Sequence, residues 1–363
     1  MKYNVVALDI DGTLLNDQHQ LLFENIIVIR KLVEAGVCFI LVTGRPDVMA
    51  TTYSDKLGIN PIILGYNGAT IRNVATKEIF YSKFLDIDSV KSVCAFLEQE
   101  NAYYRIYCMD CVYSFNQDEF DDDKNIYAQF SRNLKNMMDF KILNTWEELK
   151  EPVVKVVVFS EDTTNLNYLR DKLKVDPKLS VVFGSRNGVD INATGINKGQ
   201  ALLDYGAMFG IDASAIIAIG DSENDLSMLE VVGMPITLES GDPILRKYVK
   251  FVTKSNNEAG VAYALKEMFA EEFMKMYQQI NLFDQTILFY GEQDRAKELI
   301  KLTNLSISYE YFSGNNCLDK NSIIVVVAIN QENYIKELLD QNFVYGEHFI
   351  LEDDFLSIVN SAN

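Results

Sequence analysis

Two aspartates separated by one residue, in Asp9-Ile10-Asp11-Gly12-Thr13, follow directly on the apolar run at residues 4–8. In an extended segment residues i and i+2 point the same way. Carboxylates converging on one point repel unless a cation or a shared proton lies between them. An Asp-rich turn capping a strand would produce the same letters. Three further segments carry compatible chemistry. Thr43-Gly44-Arg45-Pro46 offers a hydroxyl, an accessible backbone N–H and a helix start, which suits a tetrahedral anion, although a plain strand-to-helix turn explains it too. Gly220-Asp221-Ser222-Glu223-Asn224-Asp225 gathers three acids and an amide. That is an oxygen-rich set for a hard cation such as Mg²⁺, or else ordinary helix capping. Lys198, at the start of a helical stretch, opposes the helix dipole, which makes sense if its ammonium meets phosphate rather than water.

The elements around these residues place all four segments in one α/β unit. Residues 4–8, 37–42 and 62–64 read as buried strands, with helical patterns at 21–35 and from Pro46 to near Gly58. This order predicts a parallel sheet whose carboxyl edge holds the ligand. From about residue 81 the pattern changes. Helical stretches at 87–100, 120–134 and 166–173 alternate with strands at 103–108, 112–115, 153–159, 179–183 and 189–191, the last two flanking Asn187-Gly188. Adjacent antiparallel strands of this kind predict an inserted α+β domain. The α/β pattern resumes with a helix at 198–209, a strand at 215–219, a helix at 225–231, strands at 234–238 and 251–253, and a helix at 260–279. A last segment, with strands at 286–290, 307–312 and 323–329 and helices at 295–302 and 334–339, has its own βα pattern.

Composition narrows the function. The 363 residues suggest two or three domains. A net charge of −19 repels nucleic acid and anionic lipid, and it requires a local positive device for any anionic substrate. No apolar run reaches the length of a membrane span, and the N-terminal segment has acids where a signal peptide has none, so a cytoplasmic location is expected. Two histidines make His-based catalysis unattractive, and five cysteines cannot all pair within the chain. Cys108 and Cys111 form one CxxC without the second ligand pair that a zinc site needs, and read as strand residues flanking a turn at Met109 and Asp110.

Taken together, the four segments resemble the haloacid dehalogenase (HAD) type phosphohydrolases, and within them the Cof-type phosphatases of sugar phosphates and cofactors. The resemblance spans about residues 1–268 and is supported by Asn67-Gly68-Ala69 after the third strand and Lys198-Gly199 on return to the core. It implies a Rossmann-like parallel-sheet core at 1–81 and 193–268, an α+β cap at 82–192 and an additional C-terminal α/β module at 269–363. It also implies a Mg²⁺-dependent phosphatase of a small phosphorylated metabolite, a sugar phosphate first and FMN or pyridoxal phosphate second. Asp9 would take the phosphoryl group as an aspartyl-phosphate. Asp11 would act as acid and then base. Mg²⁺ would be held by the Asp9 carboxylate, the Asp11 carbonyl and Asp221. Thr43, Gly44, Lys198 and Asn224 would bind phosphate oxygens, and Asp225 would order the loop. A phosphomutase of the same superfamily or a phosphometabolite-sensing regulator are the rival readings. Tyr104, Arg105 and Arg186 are cap residues near strand ends that could face substrate. In the tail, strand, glycine and helix meet at Gly291-Glu292-Gln293-Asp294. That turn lacks GxGxxG and places acids where a pyrophosphate would lie. A structural module, or one for assembly into a homo-oligomer, is expected there rather than a cofactor site.

Overall fold

The computed structural model describes residues 2–115, 137–185, 187–277, 286–303, 309–311, 322–327, 333–335, 338, 345, 349–351 and 353–356. The helix expected at 120–134 lies outside the described residues, as does Arg186 and much of the strand and helix expected at 307–312 and 334–339. Along the chain, β1 (Val5–Leu8) enters a single π-type turn at Ile10–Leu14, followed by α1 (Phe23–Glu34), β2 (Cys38–Val42), α2 (Thr51–Leu57), β3 (Ile62–Gly65), β4 (Thr70–Asn73) and β5 (Ile79–Ser82). Next come α3 (Ile87–Gln99), β6 (Tyr103–Cys108), β7 (Cys111–Ser114), β8 (Asp139–Ile142), β9 (Val153–Phe159), α4 (Thr163–Leu173), β10 (Leu179–Ser185) and β11 (Gly188–Ala193). The chain then forms α5 (Lys198–Phe209), β12 (Ile216–Ile219), α6 (Leu226–Val231), β13 (Met234–Leu238) and β14 (Phe251–Thr253). Last are α7 (Gly260–Met268), α8 (Ala270–Tyr277), β15 (Thr286–Gly291), α9 (Gln293–Thr303), β16 (Tyr309–Tyr311), β17 (Ser322–Val327) and β18 (Phe349–Leu351).

The first sheet has the order β14-β13-β12-β1-β2-β3-β4-β5. It is parallel from β14 to β3, and β4 and β5 add an antiparallel edge. Its central strands are buried along their whole length, which is why they read as unbroken apolar runs. Val5, Ala7, Ile40, Val42 and Ala218 pack with Leu202, Tyr205, Met228 and Leu229 of α5 and α6. The second sheet has the order β10-β11-β9-β6-β7-β8 and is antiparallel apart from the β7–β8 pair. Cys108 and Cys111 end β6 and begin β7, flanking the turn as expected, and both are free thiols. The third sheet, β16-β15-β17-β18, is parallel throughout.

The chain divides into two compact units, Met1–Gln20 with Gly36–Val261, and Leu21–Ala35 with Ala262–Asn363. The first two sheets belong to the former. In the latter the Ala262 N–H donates to Asn25 Oδ1 at 3.0 Å, and Lys266 pairs with buried Asp354 at 2.8 Å. The single helix expected at 260–279 is instead two, separated at buried Phe269. β4, β5 and β8 were not anticipated. The polar residues of β4 break its apolar pattern, and distant groups satisfy them. Thr70 donates to Asp47 at 2.8 Å, and Arg72 pairs with Asp47 and Asp110. No helix among the described residues is long and apolar enough to cross a membrane.

Helix α5 sets the position of Lys198. Asn197 caps it by accepting the Gln200 N–H at 2.8 Å, and Gly210 closes it in the left-handed conformation. Gly199 lets the first turn lie against α6, because a Cβ there would meet the Ser227 carbonyl oxygen at 2.1 Å. Gly199→Ala is therefore expected to cost about 1–3 kcal/mol through overpacking, read as a lowered denaturation midpoint with an unchanged slope.

Candidate active site

The site forms at the carboxyl ends of β1, β2 and β12, neighbouring strands of the first sheet, where parallel α/β sheets open. Asp9 follows β1, and its N–H donates to Ile219 O at 3.1 Å, which ties the β1 loop to the β12 loop. Gly12 turns the chain with φ +79°. A Cβ there would stand 2.4 Å from Asp221 Oδ2, so only glycine admits that carboxylate so closely. Thr13 Oγ1 donates to Asp221 Oδ1 and Ser222 Oγ to Asp221 Oδ2, both at 2.8 Å. Asp225 is fixed by its own turn, where Oδ2 accepts the N–H groups of Asp221 and Ser222 at 2.9 Å.

Into this cluster Lys198 inserts a fully buried ammonium. Its Nζ donates to Asp9 Oδ1 and to Asp225 Oδ1, each at 2.6 Å. Carboxylate oxygens of Asp9, Asp221 and Asp225 all lie within 4.8 Å of one another. One cation thus faces three carboxylates, and the imbalance shows in their proton affinities. Burial raises Asp9 well above the usual carboxylate range. Lys198 opposes this shift, while Asp225, Asp221 and Asp11 add to it. Burial, together with Asp225, pushes Asp221 up to about 6. Burial alone would lower the Lys198 pKa, but Asp225 and Asp9 hold it above the ordinary lysine range. This all-oxygen, electron-rich cluster fits a hard divalent cation, which would supply the missing positive charge.

Asp11 does not join the cluster. Asp9 and Asp11 both keep extended backbone angles at the entry to the π-type turn, yet their side chains take different partners. Arg45 Nε donates to Asp11 Oδ2 at 2.6 Å and Nη2 to Oδ1 at 2.5 Å, while His19 Nδ1 lies 3.7 Å from Oδ1. Burial would raise the Asp11 pKa, but the hydrogen bonds from His19 and Arg45 hold it well below the usual range. Repulsion between the two aspartates is thus relieved by a separate cation for each.

The second half of the site surrounds the turn after β2. Thr43 is fully buried, its N–H donates to Leu64 O at 2.9 Å, and its Oγ1 accepts the Arg45 N–H at 3.1 Å. A Cβ on Gly44 would lie 3.0 Å from Asn67 Oδ1 and 3.5 Å from Asn224 Nδ2, so Gly44 and Asn224 are close neighbours. Asn224 Nδ2 donates to Asn67 Oδ1 at 3.1 Å. Asn67 holds φ +60°, a conformation asparagine tolerates better than most residues.

Several members of this constellation carried no assignment from sequence. Arg45 lies inside the Thr43-Gly44-Arg45-Pro46 motif, yet its partner Asp11 is 34 residues away. Lys155 and Asp190 are single charges inside the strands VVKVVVF and GVDINA, a pattern that flags a buried ion pair. Of the cap candidates, Tyr104 donates to Glu98 of α3 at 2.7 Å and belongs to the apolar helix-facing side of its sheet. Arg105 lies on the other side, fully buried, its guanidinium 5.2–5.5 Å from the ring centres of Tyr103, Phe140 and Phe159.

The model of the haloacid dehalogenase-like hydrolases matches residues 6–265. The chain is 30% identical over 289 residues to the 5-amino-6-(5-phospho-D-ribitylamino)uracil phosphatase YwtE of Bacillus subtilis, covering 74% of this chain and 99% of that protein. It is 28% identical over 273 residues to YitU of the same organism, which bears the same activity in its name, covering 73% of this chain and 97% of that one. A crystal structure of a haloacid dehalogenase-like hydrolase from Bacteroides thetaiotaomicron superposes with a TM-score of 0.64 at 26% identity, over 74% of this chain and 100% of that one. The β1 aspartate turn, the β12 acidic loop and the buried lysine between them thus sit within the matched span, and the chain belongs to the haloacid dehalogenase-like hydrolases as one of the family's phosphatases.

Proposed function

We propose that this protein hydrolyses the phosphate ester of a small polyhydroxylated metabolite, with Asp9 as nucleophile and with Mg²⁺. The observation that carries the reading is Lys198 Nζ, 2.6 Å from both Asp9 and Asp225 within a cluster of three carboxylates. Asp9 and Asp221, with Asp225 behind them, would hold the cation, and the Asp11 backbone carbonyl is assigned to it as well. When bound, Mg²⁺ supplies the positive charge that lets an anionic carboxylate meet a phosphate dianion. An Asp9 oxygen attacks phosphorus, the P–O ester bond breaks, and the Asp9 carboxylate becomes an aspartyl-phosphate. Asp11 gives a proton to the departing alcohol, then takes one from the water that hydrolyses the acyl-phosphate. Arg45 holds Asp11 as the carboxylate, the form the second step needs, so the first step requires Asp11 to leave that fork and take up a proton from solvent before it can donate one. The Thr43 hydroxyl, the Gly44 N–H, Lys198 and Asn224 hold the phosphoryl oxygens, donors set where charge accumulates.

The names of YwtE and YitU favour a polyol-bearing substrate, a sugar or sugar-alcohol phosphate or flavin mononucleotide, which carries the same ribityl phosphate, ahead of pyridoxal phosphate. Inorganic phosphate release is expected from such esters with Mg²⁺ and not with a chelator. Release from no phosphate ester, aryl phosphates included, overturns the reading. Thr13→Val, which removes a hydroxyl bonded to Asp221, is expected to raise the Mg²⁺ concentration for half-maximal rate by about 10–100-fold. Residues 269–363 lie beyond the family match and are assigned to assembly with a second copy. A monomer in sedimentation of the full chain rejects that assignment.

A further inference from the structure

The second sheet has two unlike buried faces. Ile106, Val154, Val156, Val158, Val189 and Ile191 make one of them an ordinary apolar core. The residues between them include Arg105 and Tyr107 on β6, Lys155 on β9, and Asp190 and Asn192 on β11, all 5% exposed or less. Apolar packing would stabilise this second face as well as it does the first, and burying charge costs several kcal/mol per ion before pairing. A buried polar face is more economically explained by recognition than by stability.

Its contacts lead to the phosphate-binding turn. Lys155 Nζ donates to the Gly44 carbonyl oxygen and to Asp190 Oδ1, both at 2.9 Å. Asp190 Oδ2 accepts from Asn67 Nδ2 at 2.7 Å, and Asn67 in turn accepts from Asn224. A continuous chain of hydrogen bonds thus runs Gly44, Lys155, Asp190, Asn67, Asn224, beginning and ending on residues whose N–H groups are assigned to the phosphate. The pair is not saturated by these bonds. An ammonium has three protons and a carboxylate about four acceptor positions, and the hydrogen bonds above use two of each.

We propose that Lys155 and Asp190 are specificity-determining residues that grip hydroxyl groups of the alcohol esterified to the phosphate. The inference deepens the phosphatase reading and rests on it. Together the two side chains carry no net charge, so they suit a neutral, polyhydroxylated group. A hydroxyl can accept from the ammonium and donate to the carboxylate, which a second phosphate cannot do without meeting Asp190 as a like charge.

The experiment compares kcat/KM for ribitol 5-phosphate and for para-nitrophenyl phosphate, whose alcohol part offers no hydroxyl. The variants are Asp190→Asn, Lys155→Met and their double. For Asp190→Asn the ratio of the two values is expected to fall at least about 30-fold, within the range of losing a hydrogen bond to a charged group. The fall is expected mainly in KM for the polyol ester. The double variant, which strands no buried charge, is expected to fall no further than the worse single, and it carries the test if a single variant does not fold. A parallel loss on both esters means that the pair only seats the cap, and unchanged values on both mean that it touches no substrate. Either result overturns the inference while leaving the phosphatase reading in place. If the wild-type protein hydrolyses neither ester nor any other, both fall together.

Discussion

Asp9→Asn is expected to abolish phosphate release, by at least about 10⁴-fold, while the protein folds as well as before or better. The loss follows if Asp9 is the nucleophile proposed above, since nucleophile deletions in covalent mechanisms reach this size. The stability result follows from the cluster. Asn keeps the shape of the side chain but removes one of three crowded carboxylates, and Lys198 retains Asp225 at 2.6 Å. A carboxyl raised above its unfolded value contributes stability that is complete below the unfolded pKa and is lost as pH rises through the folded one. Asp221, pushed up to about 6, and Asp9, raised by burial, both act in this direction. Asp11, held low, acts oppositely: its contribution is complete above the unfolded pKa and is lost as pH falls through the folded one. In a chelator, then, the wild-type melting temperature should drop relative to Asp9→Asn as pH rises above the ordinary carboxylate range, and Mg²⁺ should restore it most at the higher pH. A wild-type protein that is the more stable of the two in chelator at pH 7.5 would show that the carboxylates are not in conflict.

What could be read from the sequence and what could not divide along a physical line. The strands VVAL, CFILV and IIAI are legible because both faces are covered, so every residue is apolar. Asp9, Asp221, Asp225 and Lys198 are legible because each stands where a strand ends or a helix begins, and chemistry at that edge needs those residue types. The ends of α5 are equally legible, since Asn197 and Gly210 act within their own neighbourhood. The groups that stayed hidden depend on partners remote in sequence. Arg45 reaches Asp11 across 34 residues, Lys155 reaches Asp190 across 35 and Gly44 across 111. The divergence of Asp9 from Asp11 also needed the structure. Alternation along a strand predicts convergence, and only the presence of two separate cations, Lys198 for Asp9 and Arg45 for Asp11, shows why the carboxylates part.

Lys198→Met separates the electrostatic role of the lysine from its packing. Methionine reproduces most of the stem, but the buried carboxylates of Asp9 and Asp225 lose their shared cation. Breaking a buried pair by removing one partner costs about 3–5 kcal/mol, because the charge left behind has neither water nor counter-ion. A loss of that size in chelator is expected from denaturant titration, and Mg²⁺ should recover part of it by neutralising the same carboxylates. Adding Asp225→Asn should recover stability as well, since the amide oxygen can still accept the Asp221 and Ser222 N–H groups while one stranded charge disappears. Turnover should recover in neither case. In the proposed mechanism the ammonium faces the transferring phosphoryl group, and losing one such donor costs about 10²–10³-fold in rate. A double variant that regains stability and stays inactive assigns the lysine to the phosphoryl group. One that regains both would reduce Lys198 to a counter-ion for the fold, and the mechanism built on it would go with it.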